Sequence, residues 1–210
     1  MAFDYKREYK DLYRPGRKPA LITVPPMNYV AVRGKGDPNA EGGSYQQALQ
    51  MLYGISFTIK MAPRSRHAID GYFEYTVPPL EGFWKTAGGS LFDPSRKDRL
   101  EWISCIRLPE FATEDVLEWA KAEAARKKGS IFDAAEFLTV DEGLCVQCMH
   151  LGPYDSEPAT IEAIESFADE AGCAFDHSHG RLHHEIYLSD PRRTAAERLK
   201  TVIRIPVAPR

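Results

Sequence analysis

The spacing of apolar residues along the chain sets out its elements. In ALITVPPMNYVAV (20–32) two apolar stretches flank Pro25-Pro26. Proline has no N–H to give a central ladder, so the pattern predicts two short strands broken there. Tyr45, Ala48, Leu49, Leu52 and Tyr53 recur at helical spacing and predict a helix over 44–60. GYFEYTV (71–77) predicts a strand, and PPLEGFW (78–84) a stiff loop that presents two large rings. A polar, glycine-rich stretch (85–99) leads into the strand LEWISCIRL, which Pro109 ends. Thr113 caps a second helix that runs to about Lys128, with its cations at the C-terminal end where the dipole favours them, and Gly129 stops it. AEFLTV and LCVQCMHL predict a hairpin around Asp141-Glu142-Gly143. Pro158 suits the first turn of a third helix, with Ile161, Ile164, Phe167, Ala168 and Ala171 on one face. LHHEIYL and KTVIRIPV supply the last strands.

The pattern repeats. Gly36, Tyr45, Ala48 and Leu52 recur 116 residues later as Gly152, Ile161, Ile164 and Ala168. Strand 71–77 matches 182–188, and Ile106-Arg107-Leu108-Pro109 matches Ile203-Arg204-Ile205-Pro206. The expected fold is therefore α+β: duplicated βαββ units forming an antiparallel sheet, with helices on one face and a ligand groove on the other. Residues 1–18 form a charged N-terminal arm, expected to be solvated or loosely docked. Repeat one spans about 19–111, the connecting helix about 113–128, and repeat two about 135–207 of a domain covering 19–210.

Composition narrows the function classes. The 210 residues are 43% hydrophobic, enough for one sizeable core, and the formal charge of -3 gives no reason to expect nucleic acid. No apolar run approaches the roughly 20 residues of a membrane span, and MAFDYKREYK has no signal core, so a cytoplasmic protein is expected. An open sheet edge leaves a monomer or a weak dimer as the expected state. Cys145 and Cys148 lie three apart on one strand and so point to opposite faces; with Cys105 and Cys173 they read as buried structural residues.

The candidate chemistry centres on Glu185, in the strand His183-His184-Glu185-Ile186-Tyr187. A charged group inside a sheet costs several kcal/mol unless paired or hydrated. Glu185 is either a solvent-facing residue or a groove carboxylate with a raised pKa, fit to act as general base or cation binder. His183 and Tyr187 share its face. Tyr72, Glu74, Phe83, Trp84, Trp102 and Tyr154 are the candidate ligand-binding residues around the groove, with Glu74 facing it if Phe73 and Tyr75 are buried. His177, His179, His183 and His184 do not converge, so no metal and no cofactor are expected.

Val24-Pro25-Pro26, Gly34–Asn39, WISCIRLPEF (102–111), GLCVQCMHLGPYDSEP (143–158) and HEIYLSDPRR with KTVIRIPV resemble the stand-alone GyrI-like small-molecule-binding family. The resemblance implies a pocket for flat aromatic or xenobiotic ligands, with Glu185 at the position of a glutamate that meets cationic drugs in regulators of this fold. Some stand-alone members are hydrolases that open the cyclopropane of DNA-alkylating natural products. That implies Glu185 activating water, Tyr187 or Tyr72 hydrogen-bonding the substrate carbonyl, and Trp84 and Trp102 stacking on the ligand. The alternative is a non-catalytic, drug-sequestering or protein-binding module like the gyrase inhibitors.

Overall fold

The computed structural model describes residues 2–89, 92–129 and 132–210; Ser90 and Leu91 of the glycine-rich stretch lie outside them. Two short helices, α1 (Tyr5–Glu8) and α2 (Lys10–Tyr13), lead into β1 (Ala20–Val24), β2 (Met27–Lys35) and α3 (Ser44–Lys60). Then come β3 (Leu80–Thr86), β4 (Leu100–Arg107), α4 (Glu114–Lys128) and β5 (Ala135–Val140). The chain ends with β6 (Gly143–Leu151), α5 (Glu157–Glu170), β7 (Cys173–Phe175), β8 (His183–Tyr187) and β9 (Lys200–Pro209). All pairings of these strands are antiparallel, in the order β1-β6-β9-β8-β3-β4-β2-β5, with β7 added to β9.

Two local expectations change. Residues 71–77 are not a sheet strand: only Tyr75 forms a bridge, to Phe3. The strand is Leu80–Thr86, at the centre of the sheet between β8 and β4. Pro78 and Pro79 bar a ladder before it, and Glu81, Gly82 and Lys85 hid its strand character. The match of 71–77 with 182–188 falls with it. The predicted hairpin around residues 141–143 is also absent, since β5 pairs with β2 and β6 with β1 and β9. Val24 pairs with Gly143 and Met27 with Val140, so the breaks at Pro25-Pro26 and at Asp141-Glu142 face each other. Two long bent strands thus join the ends of the strand order, and the sheet curls instead of lying flat.

One sheet face carries α3 and α5. Val30, Val32, Trp84, Trp102 and Ile106 pack with Leu52, Ile55 and Ile59 of α3 and Leu117 and Ala120 of α4. Val146, Cys148, Ile203 and Ile205 pack with Ile164 and Ala168 of α5. Thr113 Oγ1 accepts from Val116 N at 3.3 Å and Gly129 takes φ +64°, the expected start and stop of α4.

The N-terminal arm covers the other face. It is not a solvated tail: Tyr5 and Tyr13 are each 1% exposed and pack with Tyr29, Phe83 and Ile186. The two IRxP motifs explain why. Arg107 lies 4.7 Å from the ring of Tyr5 and 4.5 Å from that of Tyr9, a cation–π clasp. Arg204 donates through Nη2 to the carbonyl of Leu12 at 2.9 Å. Gln147 Nε2 donates to the carbonyl of Asp11 at 2.6 Å and Tyr13 to Glu81 Oε1 at 3.2 Å.

Candidate functional site

A groove of about 1500 Å³ opens on the helix-covered face of the sheet. Its walls include Tyr45, Gln46 and Gln50 of α3, Tyr154 and Glu157 at the start of α5, and the 188–192 turn; Trp84, Glu185 and Tyr187 lie at its foot. The groove was expected on the face opposite the helices. It lies between them because the arm already fills the other face.

Alternation along β8 sends His183, Glu185 and Tyr187 to the groove side. Glu185 is 4% exposed. Its Oε1 lies 3.0 Å from His183 Nε2, and a carboxylate only accepts, so the imidazole proton belongs on Nε2. Its Oε2 accepts from the Tyr187 hydroxyl at 2.8 Å, and that hydroxyl accepts from Trp84 Nε1 at 2.9 Å. Gly82 pairs with Glu185 across the strands and makes this possible. A Cβ there would come within 2.6 Å of Trp84 Nε1 and 3.1 Å of the Tyr187 oxygen. Burial, then the Glu185 charge, raises the Tyr187 pKa well above the ordinary value, so its proton stays in place.

Glu157, which no motif in the sequence marks, completes the site. It is 2% exposed, and its Oε1 is buried without a hydrogen-bond partner among the described residues. Burial, then the neighbouring Glu185 carboxylate, pushes the Glu157 pKa well above the ordinary range. The protonated form of Glu157 is thereby favoured beside the Glu185 carboxylate. An acidic residue in a first helical turn ordinarily reads as dipole compensation, so no sequence signal set it apart. His150 fixes the turn that carries it: Nδ1 lies 2.8 Å from Thr160 Oγ1 and Nε2 3.2 Å from the carbonyl of Pro153. Tyr154 stands edge-on to Tyr187 at 5.8 Å, and burial, then Glu157 and Glu185, pushes its pKa up to about 12. Tyr45, read from sequence as a core position, tilts over Trp84 at 5.7 Å.

The other candidates lie elsewhere. Trp102 is buried beneath Tyr45, edge-on at 5.1 Å, and does not line the groove. Phe83 points to the arm side, where its ring stacks on His184 at 4.0 Å. Tyr72 bonds the carbonyl of Lys60 at 2.7 Å, and Glu74 is exposed with its carbonyl accepting from Phe3 N. Neither lines the groove. His183 supports Glu185 from beneath the Phe92 ring, 4.4 Å away.

Behind the strand, His184 joins a buried ionic network. Its Nδ1 lies 3.0 Å from Glu142 Oε1; its Nε2 lies 3.0 Å from Glu81 Oε2, an ion pair too bent for a hydrogen bond. Arg204 adds contacts to Glu142 Oε2 at 2.9 Å and Gln147 Oε1 at 3.0 Å. Cys145 sits on this side of the sheet and Cys148 on the α5 side, and both are free thiols. Among the described residues no group of three or more His, Cys, Asp and Glu is placed to hold a metal ion, and no helix is long and apolar enough to cross a membrane.

A family model described as a GyrI-like small molecule binding domain matches residues 17–208. A crystal structure of a hydrolase from Listeria innocua superposes with a TM-score of 0.89 at 43% identity, covering 98% of this chain and 100% of that one. Another hydrolase structure from Listeria innocua gives 0.90 at 44% identity, covering 99% and 100%. The C-terminal domain of EcmrR shares the fold alone, with a TM-score of 0.54 at 13% identity over 92% and 98% of the two chains. No curated protein matches the sequence.

Proposed function

This chain belongs to the GyrI-like small-molecule-binding family, and from that premise we propose that its groove takes flat aromatic xenobiotics and hydrolyses the strained cyclopropane of alkylating natural products. One observation carries the reading: a buried pair of neighbouring carboxyls, Glu157 and Glu185, at the foot of an aromatic-walled groove. The similar Listeria innocua hydrolases support it.

Glu185 offers about four lone-pair directions. His183 and Tyr187 take two, which leaves room for a water. That water, deprotonated by Glu185 as it attacks, opens the ring, and negative charge develops on the conjugated carbonyl. Tyr187 is not the donor to that oxygen, because its proton is committed to Glu185. The donor is Tyr154, whose hydroxyl no described residue engages. Tyr187 and His183 hold Glu185 in position, and Trp84 with Tyr45 forms the stacking wall.

The test is turnover of a cyclopropane-bearing alkylator followed by mass spectrometry. Wild type is expected to yield the ring-opened alcohol, and Glu185→Gln to lose about 10²–10⁴ in rate. Equal rates remove the mechanism. Tight binding and protection without product would assign the groove to sequestration.

A further inference from the structure

We infer that the same groove hydrolyses a second class of strained alkylator, the oxirane of aryl-substituted epoxides, with Glu157 as the proton donor to the ring oxygen and Glu185 as the base for water. The inference rests on the hydrolytic reading above and extends it to a reaction with a different demand. In a cyclopropane conjugated to a carbonyl, the electron pair released by ring opening moves through the π-system to a distant oxygen. In an oxirane it stays on the ring oxygen, next to the carbon under attack. A neutral acid must then sit near the base.

Glu157 and Glu185 meet that demand. Both are buried and both line the groove. Glu185 accepts on either oxygen, from His183 and Tyr187. Glu157 Oε1 has no donor among the described residues, the state of a carboxyl that carries its own proton. In the Trp84–Tyr187 chain the Trp84 proton goes to Tyr187 and the Tyr187 proton to Glu185, and Tyr154, its pKa pushed up to about 12, offers a hydrogen bond and holds its proton. Aromatic walls at Tyr45, Trp84, Phe92 and Tyr154 suit an aryl substituent beside the ring.

The step balances with water alone. A water lone pair attacks one ring carbon opposite its C–O bond, forming a new C–O bond. The ring C–O bond breaks, and its electron pair goes to the ring oxygen, which takes the proton of Glu157. Glu185 takes the proton leaving the attacking water. The product is a vicinal diol, the substrate plus one water. The proton now sits on Glu185 and the charge on Glu157. Proton transfer from Glu185 to the neighbouring Glu157 carboxylate restores the starting state.

The experiment uses the full chain with enantiopure styrene oxide and trans-stilbene oxide in H₂¹⁸O, alongside the cyclopropane-bearing alkylator. Expected is a diol with one ¹⁸O and inversion at the labelled carbon, formed at least about 100-fold faster than in buffer. Glu157→Gln is expected to slow oxirane opening by about 10²-fold or more and cyclopropane opening less, because only the oxirane needs its proton at the ring. If Glu157→Gln fails to fold, as read by its melting curve, the wild-type label and stereochemistry decide alone. No diol above the buffer rate, retention at the labelled carbon, or a wild-type oxirane rate in folded Glu157→Gln overturns the inference. Cyclopropane turnover without oxirane turnover leaves the hydrolytic reading standing and removes only this extension. Oxirane turnover alone keeps this inference and removes the cyclopropane step. Neither, with both substrates displacing a groove-bound dye, removes both.

Discussion

Replacing Glu142 with Gln isolates the charge that holds the arm side of the sheet together. Glu142 is 2% exposed and faces His184 Nδ1 at 3.0 Å and Arg204 Nη1 at 2.9 Å. Burial, the largest influence, opposes its ionisation; His184 and Arg204 reverse this and hold its pKa at about 2, against an ordinary 4.5. The difference (4.5 − 2) at about 1.36 kcal/mol per unit amounts to about 3 kcal/mol. Because the folded value lies below the unfolded one, this stabilisation is fully present above about pH 4.5 and is lost as pH falls towards 2. The raised His184 pKa works in the opposite sense, contributing below its unfolded value and fading as pH rises through its folded one. Glu142→Gln should therefore cost about 3 kcal/mol at neutral pH, a fall of roughly 6–12 °C in Tm for a chain of this size. The assay is urea unfolding followed by tryptophan fluorescence, repeated at several values from neutral to about pH 3. The gap between wild type and variant should narrow across the acid range, where Glu142 of the unfolded wild-type chain takes up a proton before the folded one does. A penalty under about 1 kcal/mol at neutral pH, or one that is the same at neutral and acid pH, refutes the reasoning.

Deleting residues 2–13 should destabilise the protein by several kcal/mol, because it strips the partners of Arg204 and Gln147 and uncovers Tyr29 and Phe83; an unchanged melting curve with no gain in binding of a hydrophobic dye would show the arm to be dispensable. Gly34→Ala should cost about 1–3 kcal/mol, since its Cβ would come within 2.2 Å of the Trp102 ring, and the same change with Trp102→Phe should cost less. Tyr187→Phe should lower kcat for the proposed hydrolysis more than it raises KM, because the hydroxyl orients Glu185 instead of touching substrate; a pure KM effect would return Tyr187 to the ligand-binding set.

Much of the scaffold was legible from local pattern. Thr113, Gly129, Pro158 and the apolar stripes fixed where helices start, stop and bury a face, because those effects act within a turn or two of chain. The break at Pro25-Pro26 was legible for the same reason: a missing N–H is a property of the residue itself. Glu185, a carboxylate in the middle of a strand, was also visible as an anomaly.

What lay beyond the sequence were the juxtapositions. A central strand disguised by Glu81, Gly82 and Lys85 becomes one only when β8 and β4 flank it. The two IRxP motifs were visible as a repeat, yet their purpose appears only where the arm lies over Arg107 and Arg204. Glu157 is 28 residues from Glu185 in the chain, and its pKa depends on burial and on that neighbour, neither of which any spacing rule reports. The face of the groove followed from which side the arm had already filled. The sequence by itself determined most of the elements and one carboxylate. The tertiary structure decided the central strand, the second carboxylate and the side of the sheet on which the two carboxylates meet, because each depends on distances between parts of the chain that local order leaves free.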